Sequence, residues 1–170
     1  MDLSRRQSPI GALSEECSGA PNPLLVESAY AEGKRAAEDL CTVYGDHYSM
    51  ACKIARCFAF VGSLFPLDQH FAIGSFIKDA LQGREIHVHG DSTPRRSYMY
   101  AADLARWLWT ILLQAPAHQA YNVGSREPIS IEELARTVQR TLDCTAGVQI
   151  AKKAIEGAPI LQYVPCVQKA

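Results

Sequence analysis

A phenol and an ammonium stand four residues apart at Tyr30 and Lys34, within the stretch Ser28-Ala-Tyr-Ala-Glu-Gly-Lys34. On a helix that spacing stacks both groups on one face. A phenol titrates near ~10 when unperturbed, and a cation a few ångströms away favours the phenolate, bringing proton exchange with a substrate hydroxyl or carbonyl closer to neutral pH. A solvated helix pair with no catalytic role has the same spacing, so the meaning of the pair rests on its surroundings. His87 and His89 share one face of an alternating stretch and offer two imidazoles, but no third ligand stands at a spacing that obviously completes a site, and no metal is expected. The six cysteines contain no Cys-x-x-Cys and read as buried or incidental thiols.

The chain that must position these groups has 170 residues, of which 48% are hydrophobic and 21% charged. That is the composition of a globular domain able to bury a core. A net charge of −1, with no run of like charges, gives no attraction to nucleic acid or to an anionic membrane. The longest apolar stretch, Trp107 to Leu113, is too short to cross a bilayer, and the first nine residues lack the apolar core of a secretory signal. The expectation is a soluble, cytoplasmic protein.

Residues 1–27, rich in Ser, Pro, Gly and Glu, read as an extended loop. Ser28 is the expected N-cap of a helix that runs to about Tyr44 and stops at Gly45, which places Tyr30 in the first turn. The apolar run from Met50 to Val61 reads as one strand buried inside a parallel sheet. A helix from Phe71 to Leu81 closed by Gly83, a strand over Glu85 to His89, an alternating stretch from Arg95 to Tyr100 and an apolar helix over 102–114 follow. Ala120 to Gly124 reads as a further strand, and Ser130-Ile-Glu-Glu133 is a capping box that opens a helix with Ile131, Leu134, Val138 and Leu142 on one stripe. A strand at Val148 to Ile150 comes next. The alternation of helices and strands makes the fold class α/β.

The order of motifs carries more than any one of them: Tyr30-x-x-x-Lys34, then Arg56 to Gly62, His87-Val-His-Gly-Asp91, Arg96 to Asp103, and Tyr121-Asn-Val-Gly-Ser125 before the capped helix. This succession resembles the extended short-chain dehydrogenase/reductase family, and within it the NAD-dependent nucleotide-sugar epimerases and dehydratases. The resemblance covers roughly residues 20–168. It implies the last elements of a Rossmann-like parallel sheet over 28–62, followed by a small mixed substrate-binding lobe over 63–170. It implies Tyr30 as catalytic acid/base and Lys34 as the partner that holds the ribose of NAD and lowers the tyrosine pKa. It also implies Arg96 as the grip on the sugar-nucleotide diphosphate, for which a planar, permanently charged fork is suited, and Phe71 and Phe76 as walls of a base pocket. Asp103 fits an acid at the start of the following helix, a structural role. Trp107 and Trp109 read as packing residues.

Several departures qualify these implications. A dinucleotide-binding half needs a glycine-rich turn for the pyrophosphate, yet the two closest glycines here are Gly83 and Gly90, seven apart. The family's hydroxyl upstream of the tyrosine has no counterpart in Ser8, Ser14 or Ser18, and Ala59 to Ser63 replaces a segment that commonly carries an asparagine. Gln162 and Cys166 stand where relatives tend to have an arginine and an acid. The resemblance therefore implies a chain truncated at both ends, with weak or no turnover alone. The alternative is a non-catalytic remnant that binds a nucleotide sugar, or pairs with itself or with a full-length subunit.

Overall fold

The computed structural model describes residues 11–17, 19, 21–69, 71–152, 157 and 159–170. The parts of the expected loop at 1–10, 18 and 20, with Ser8 and Ser18, lie outside the described residues. The rest of that loop is irregular until a 3-10 turn at Val26–Ser28 leads into helix α1, Ala29–Tyr48. Ser28 stands at the N-cap position, but its own backbone is helical and its side chain caps no N–H. Nor does the helix stop at Gly45. It runs on to Ser49, whose left-handed backbone (φ 53°) ends it. Gly45 serves a close approach instead: a β-carbon there would lie 3.0 Å from Nδ1 of His118.

The apolar run after α1 is two strands rather than one. Strand β1, Lys53–Cys57, pairs in parallel with β6, Gln119–Val123, in the register Lys53↔Gln119 to Cys57↔Val123. After a break at Phe58 and Ala59, β2, Phe60–Val61, changes partner and pairs in parallel with β5, Met99–Tyr100. The expected full burial is not reached either, for β1 is half-buried along Lys53 to Arg56 and exposed at Cys57. A strand in a two-stranded sheet has one neighbour, so one edge stays uncovered.

Two cores organise the remainder. The larger lies under the parallel pair β3, Ile86–Asp91, and β8, Val148–Lys152, which α2, Ala72–Leu81, and α4, Ile131–Thr141, cover. Alternation sends Ile86 and Val88 inward against Ile73, Phe76, Leu134 and Val138, and leaves His87 and His89 outside. Gly83 follows α2 with φ 65° and returns its N–H to the carbonyl of Ala80. The capping box of α4 is complete: Ser130 Oγ accepts from the Glu133 N–H, and Glu133 Oε2 accepts from the Ser130 N–H. These bonds hold the Glu133 carboxyl below its ordinary range.

The smaller core joins Met99, Ile111, Tyr121 and Val123, with Ala55, Phe60 and Trp107 packed against it. Helix α3, Ala101–Gln114, covers this side of β1 and β6, and Lys53 Nζ donates to the Leu112 carbonyl at its C-terminal end, where a cation suits the helix dipole. Trp107 packs inward as expected, whereas Trp109 is exposed. Asp103 lies in the first turn of α3, 3.7 Å from Arg106. Because β6 returns to pair with β1, the stretches 28–62 and 63–170 interleave in space. A three-stranded sheet in the order β7, Ile129–Ser130, β4, Arg95–Arg96, and β9, Gln162–Tyr163, combines antiparallel and parallel pairing. Among the described residues, no helix is long and apolar enough to cross a membrane.

The chain's leading and trailing segments meet at Asn122. Its side-chain amide donates to the carbonyls of Leu13 and Cys166, and its backbone N–H donates to the Glu15 carboxylate. Asn122 is 2% exposed, and removing its amide takes a donor from both carbonyls: Leu13 keeps the Cys166 N–H, while the Cys166 carbonyl loses the donor it has here. Asn122→Ala is expected to lower unfolding stability by about 1–3 kcal/mol and to speed proteolysis within residues 11–17. Urea denaturation and limited proteolysis check both effects.

Candidate active site

Tyr30 and Lys34 lie on the same face of α1, with the ammonium 5.5 Å from the centroid of the tyrosine ring. The phenol is 61% exposed, so it is open to a ligand. Partial burial pushes the thiol of Cys57, the last residue of β1, up, and the Lys34 ammonium opposes that shift. The Lys34 charge thus reaches the carboxyl end of a parallel strand, the end at which open α/β sheets bind their ligands.

Helix α1 needs an external anchor, because among its residues only Gly45 is buried. Arg56 supplies one. Its Nε and Nη2 donate to the two carboxylate oxygens of Glu38 at 2.8 and 2.6 Å, and Nη1 donates to the Glu15 carbonyl at 2.6 Å. The Glu38 hydrogen bond holds the Arg56 guanidinium above its ordinary pKa against the effect of burial. An open groove of about 390 Å³ lies beside this anchor, lined by Glu38, Thr42, Ile54, Arg56 and His118. Neither Tyr30 nor Lys34 lines it.

From Cys57 the contacts continue toward Arg96. Phe58 stacks on Tyr163 with ring centroids 4.7 Å apart, and the Arg96 guanidinium sits 5.3 Å over the other aromatic partner of that stack, the Tyr163 ring. Pro165 and Phe58 close on Gly124, where a β-carbon would meet Pro165 Cγ at 2.9 Å. Burial raises the Tyr98 phenol, with Arg96 opposing, so Tyr98 stays neutral beside that cation. Arg96 is thus joined through Tyr163 to Phe58, the residue that follows β1 in the chain.

The two phenylalanines separate. Phe71, at the N-cap of α2, is half exposed and packs obliquely on Phe65. Phe76 is 3% exposed within the larger core, which leaves its ring no surface for a nucleotide base. His87 and His89 stack at 6.2 Å, and among the described residues no group of three His, Cys, Asp or Glu side chains converges on a metal position. Phe58, Tyr163 and Asn122 were not singled out from sequence. Aromatic residues at the end of a strand run and in Tyr163-Val-Pro165 were the available signal, but only the folded chain joins them.

A model of the NAD dependent epimerase/dehydratase family matches residues 9–124. The chain belongs to this family. Among curated members, UDP-glucuronic acid decarboxylase 2 of Arabidopsis thaliana is 32% identical over 131 residues, 77% of this chain and 29% of that protein. UDP-glucuronic acid decarboxylase 1 of Xenopus tropicalis is 28% identical over 83% of this chain and 33% of its own length. Among solved structures, the UDP-glucuronic acid 4-epimerase of Bacillus cereus, in complex with UDP-glucuronic acid and NAD, is 25% identical with a TM-score of 0.75, covering 98% of this chain and 51% of that one. The dTDP-glucose 4,6-dehydratase DesIV of Streptomyces venezuelae shares the fold at a TM-score of 0.78 and 21% identity, over 99% of this chain and 50% of that one. The chain thus spans about a third of these curated relatives and half of these solved ones.

Lys34→Ala will raise the Cys57 thiol pKa further, because the cation that opposes burial is gone. The pH dependence of Cys57 alkylation, followed by mass spectrometry, should move to higher pH. An unchanged profile would separate the two side chains.

Proposed function

We propose that this chain is the catalytic and substrate-binding portion of a nucleotide-sugar epimerase, dehydratase or decarboxylase, and that its ligand is a UDP-linked uronic acid. The observation that carries this reading is the Lys34 ammonium held 5.5 Å from the exposed Tyr30 ring at the end of β1. Support for the ligand class comes from two kinds of relative: the curated decarboxylases and the solved 4-epimerase carry the same UDP-sugar in their names.

In this reading Tyr30 Oη exchanges a proton with a sugar hydroxyl. Lys34 stabilises the phenolate and orients the phenol. Arg96 binds the diphosphate, with the Tyr163 ring holding the guanidinium flat beneath it. Phe71 offers an exposed ring for the base, and Phe76 supports the core beneath it. Glycine spacing argues against a complete site for NAD: no Gly-x-Gly occurs in the sequence, so the backbone cannot approach a pyrophosphate in the way a dinucleotide-binding turn does. Lys34 suits a ribose, but the principal anchor is wanting, and no redox step is assigned to these residues. Little or no turnover by the chain alone follows. That same lack of a pyrophosphate turn favours a second reading, a nucleotide-sugar-binding or subunit-pairing module without turnover.

Calorimetric titration tests the ligand and cofactor assignments. UDP-glucuronic acid is expected to bind the chain, Arg96→Ala to weaken it by at least about tenfold, as loss of a charge-assisted bidentate contact implies, and NAD to bind poorly. Tight NAD binding would overturn the assignment of an incomplete cofactor site. Absence of UDP-sugar binding would remove the first reading and the sugar-binding form of the second.

A further inference from the structure

Lys34 holds its ammonium 5.5 Å from the centroid of the Tyr30 ring, and among the described residues it forms no ion pair. A helix places Tyr30, Ala31, Ala37 and Glu38 beside it, and of these only Glu38 carries a carboxylate. Long side chains on a helix lean toward its N-terminus, so an acid four residues after a lysine is well set to reach the ammonium. Opposite charges at that spacing attract. Left to itself, Glu38 would draw the Lys34 ammonium away from the phenol.

Both Glu38 oxygens are instead taken from β1. Arg56 Nε donates to one at 2.8 Å and Nη2 to the other at 2.6 Å, a bidentate, charge-assisted fork that is stronger than a solvated ion pair along a helix. Arg56 Nη1 donates to the Glu15 carbonyl at 2.6 Å, so the guanidinium cannot swing off the carboxylate without breaking that bond as well. Glu15 is itself fixed, because its carboxylate accepts from the Asn122 N–H. The charge of Glu38 is therefore matched by Arg56 before it can act on Lys34.

We infer that Arg56 is a positioning residue for Lys34: by holding the Glu38 carboxylate it keeps that acid from pairing with the Lys34 ammonium, which stays over the Tyr30 ring. Tyr30, Lys34 and Glu38 follow one another at four-residue steps on α1, and the strand decides which two of them interact. The value of this for proton exchange rests on the reading of Tyr30 and Lys34 as the reacting pair, since an ammonium neutralised by a carboxylate no longer favours a phenolate beside it. The geometric relation among the four side chains does not depend on which sugar is bound.

NMR of the chain carrying isotopically labelled lysine tests it without a ligand. Methylene protons of Lys34 over the face of the Tyr30 ring are shielded, and Tyr30→Leu sets the unshielded reference. Arg56→Met is expected to move the Lys34 resonance most of the way to that reference, and Arg56→Met combined with Glu38→Gln to bring it back, with circular dichroism unchanged. A role confined to anchoring α1 predicts no such rescue, because the double variant restores no contact with β1. The inference is overturned by a native resonance already at the reference, by shielding that survives Arg56→Met, or by a loss that Glu38→Gln does not reverse. Should Arg56→Met fail to fold, Arg56→Gln decides by the same results, since it removes the charge and keeps an amide donor for the Glu15 carbonyl. Addition of UDP-glucuronic acid then separates the inference from the reading it rests on. If rescue occurs but the ligand leaves Tyr30 and Lys34 unmoved, the positioning stands and the assignment of the pair as reacting groups falls.

Discussion

Arg56 donates twice to the Glu38 carboxylate and once to the Glu15 carbonyl, and these three bonds fix α1, β1 and the chain's leading segment to one another. The Glu15 carboxylate passes the restraint on to Asn122 in β6, which in turn holds the segments around Leu13 and Cys166. Helix α1 has little else to orient it, since most of its side chains face solvent. An ion pair with both partners about 30% exposed contributes modestly to stability, but a bidentate fork fixes direction as well as distance. The rotation of α1 decides whether Tyr30 and Lys34 face the end of β1. The candidate chemistry therefore depends on a guanidinium that touches neither of them.

A second constraint is aromatic. The expected single strand breaks at Phe58, whose ring leaves the sheet to stack on Tyr163, and this break lets β2 pair with β5. Tyr163 in turn carries Arg96 on its other contact. One local departure from regular strand geometry thus joins the end of β1 to Arg96, which the proposed function places at the diphosphate. Gly124 permits the arrangement, because Pro165 and Phe58 occupy the space a side chain would need.

Local signals in the sequence predicted the elements that local chemistry determines. The capping box at Ser130, the left-handed Gly83 and the alternation of Ile86 and Val88 each work through near neighbours, and each appears as expected. The α/β class followed from the alternation of helices and strands, and family membership from motif order. What the sequence left hidden depends on distant contacts. Gly45 reads as a helix stop, but its purpose is set by His118, seventy-three positions along the chain. Phe76 and Phe71 carry the same ring, and only packing assigns one to the core and the other to the surface. Asn122 reads as one residue of a short strand, and its clamp on both chain segments has no local signature.

The most direct test of the account is an NMR titration of the isotopically labelled chain with UDP-glucuronic acid. Perturbed resonances are predicted for Tyr30, Cys57, Phe58, Arg96 and Tyr163, the residues of the proposed site, in which Phe58, Tyr163 and Arg96 already pack together and Lys34 lies over the Tyr30 ring. Perturbations confined to the groove beside Glu38, Thr42 and His118, or confined to one end of that surface, would contradict a single site running from Tyr30 to Arg96.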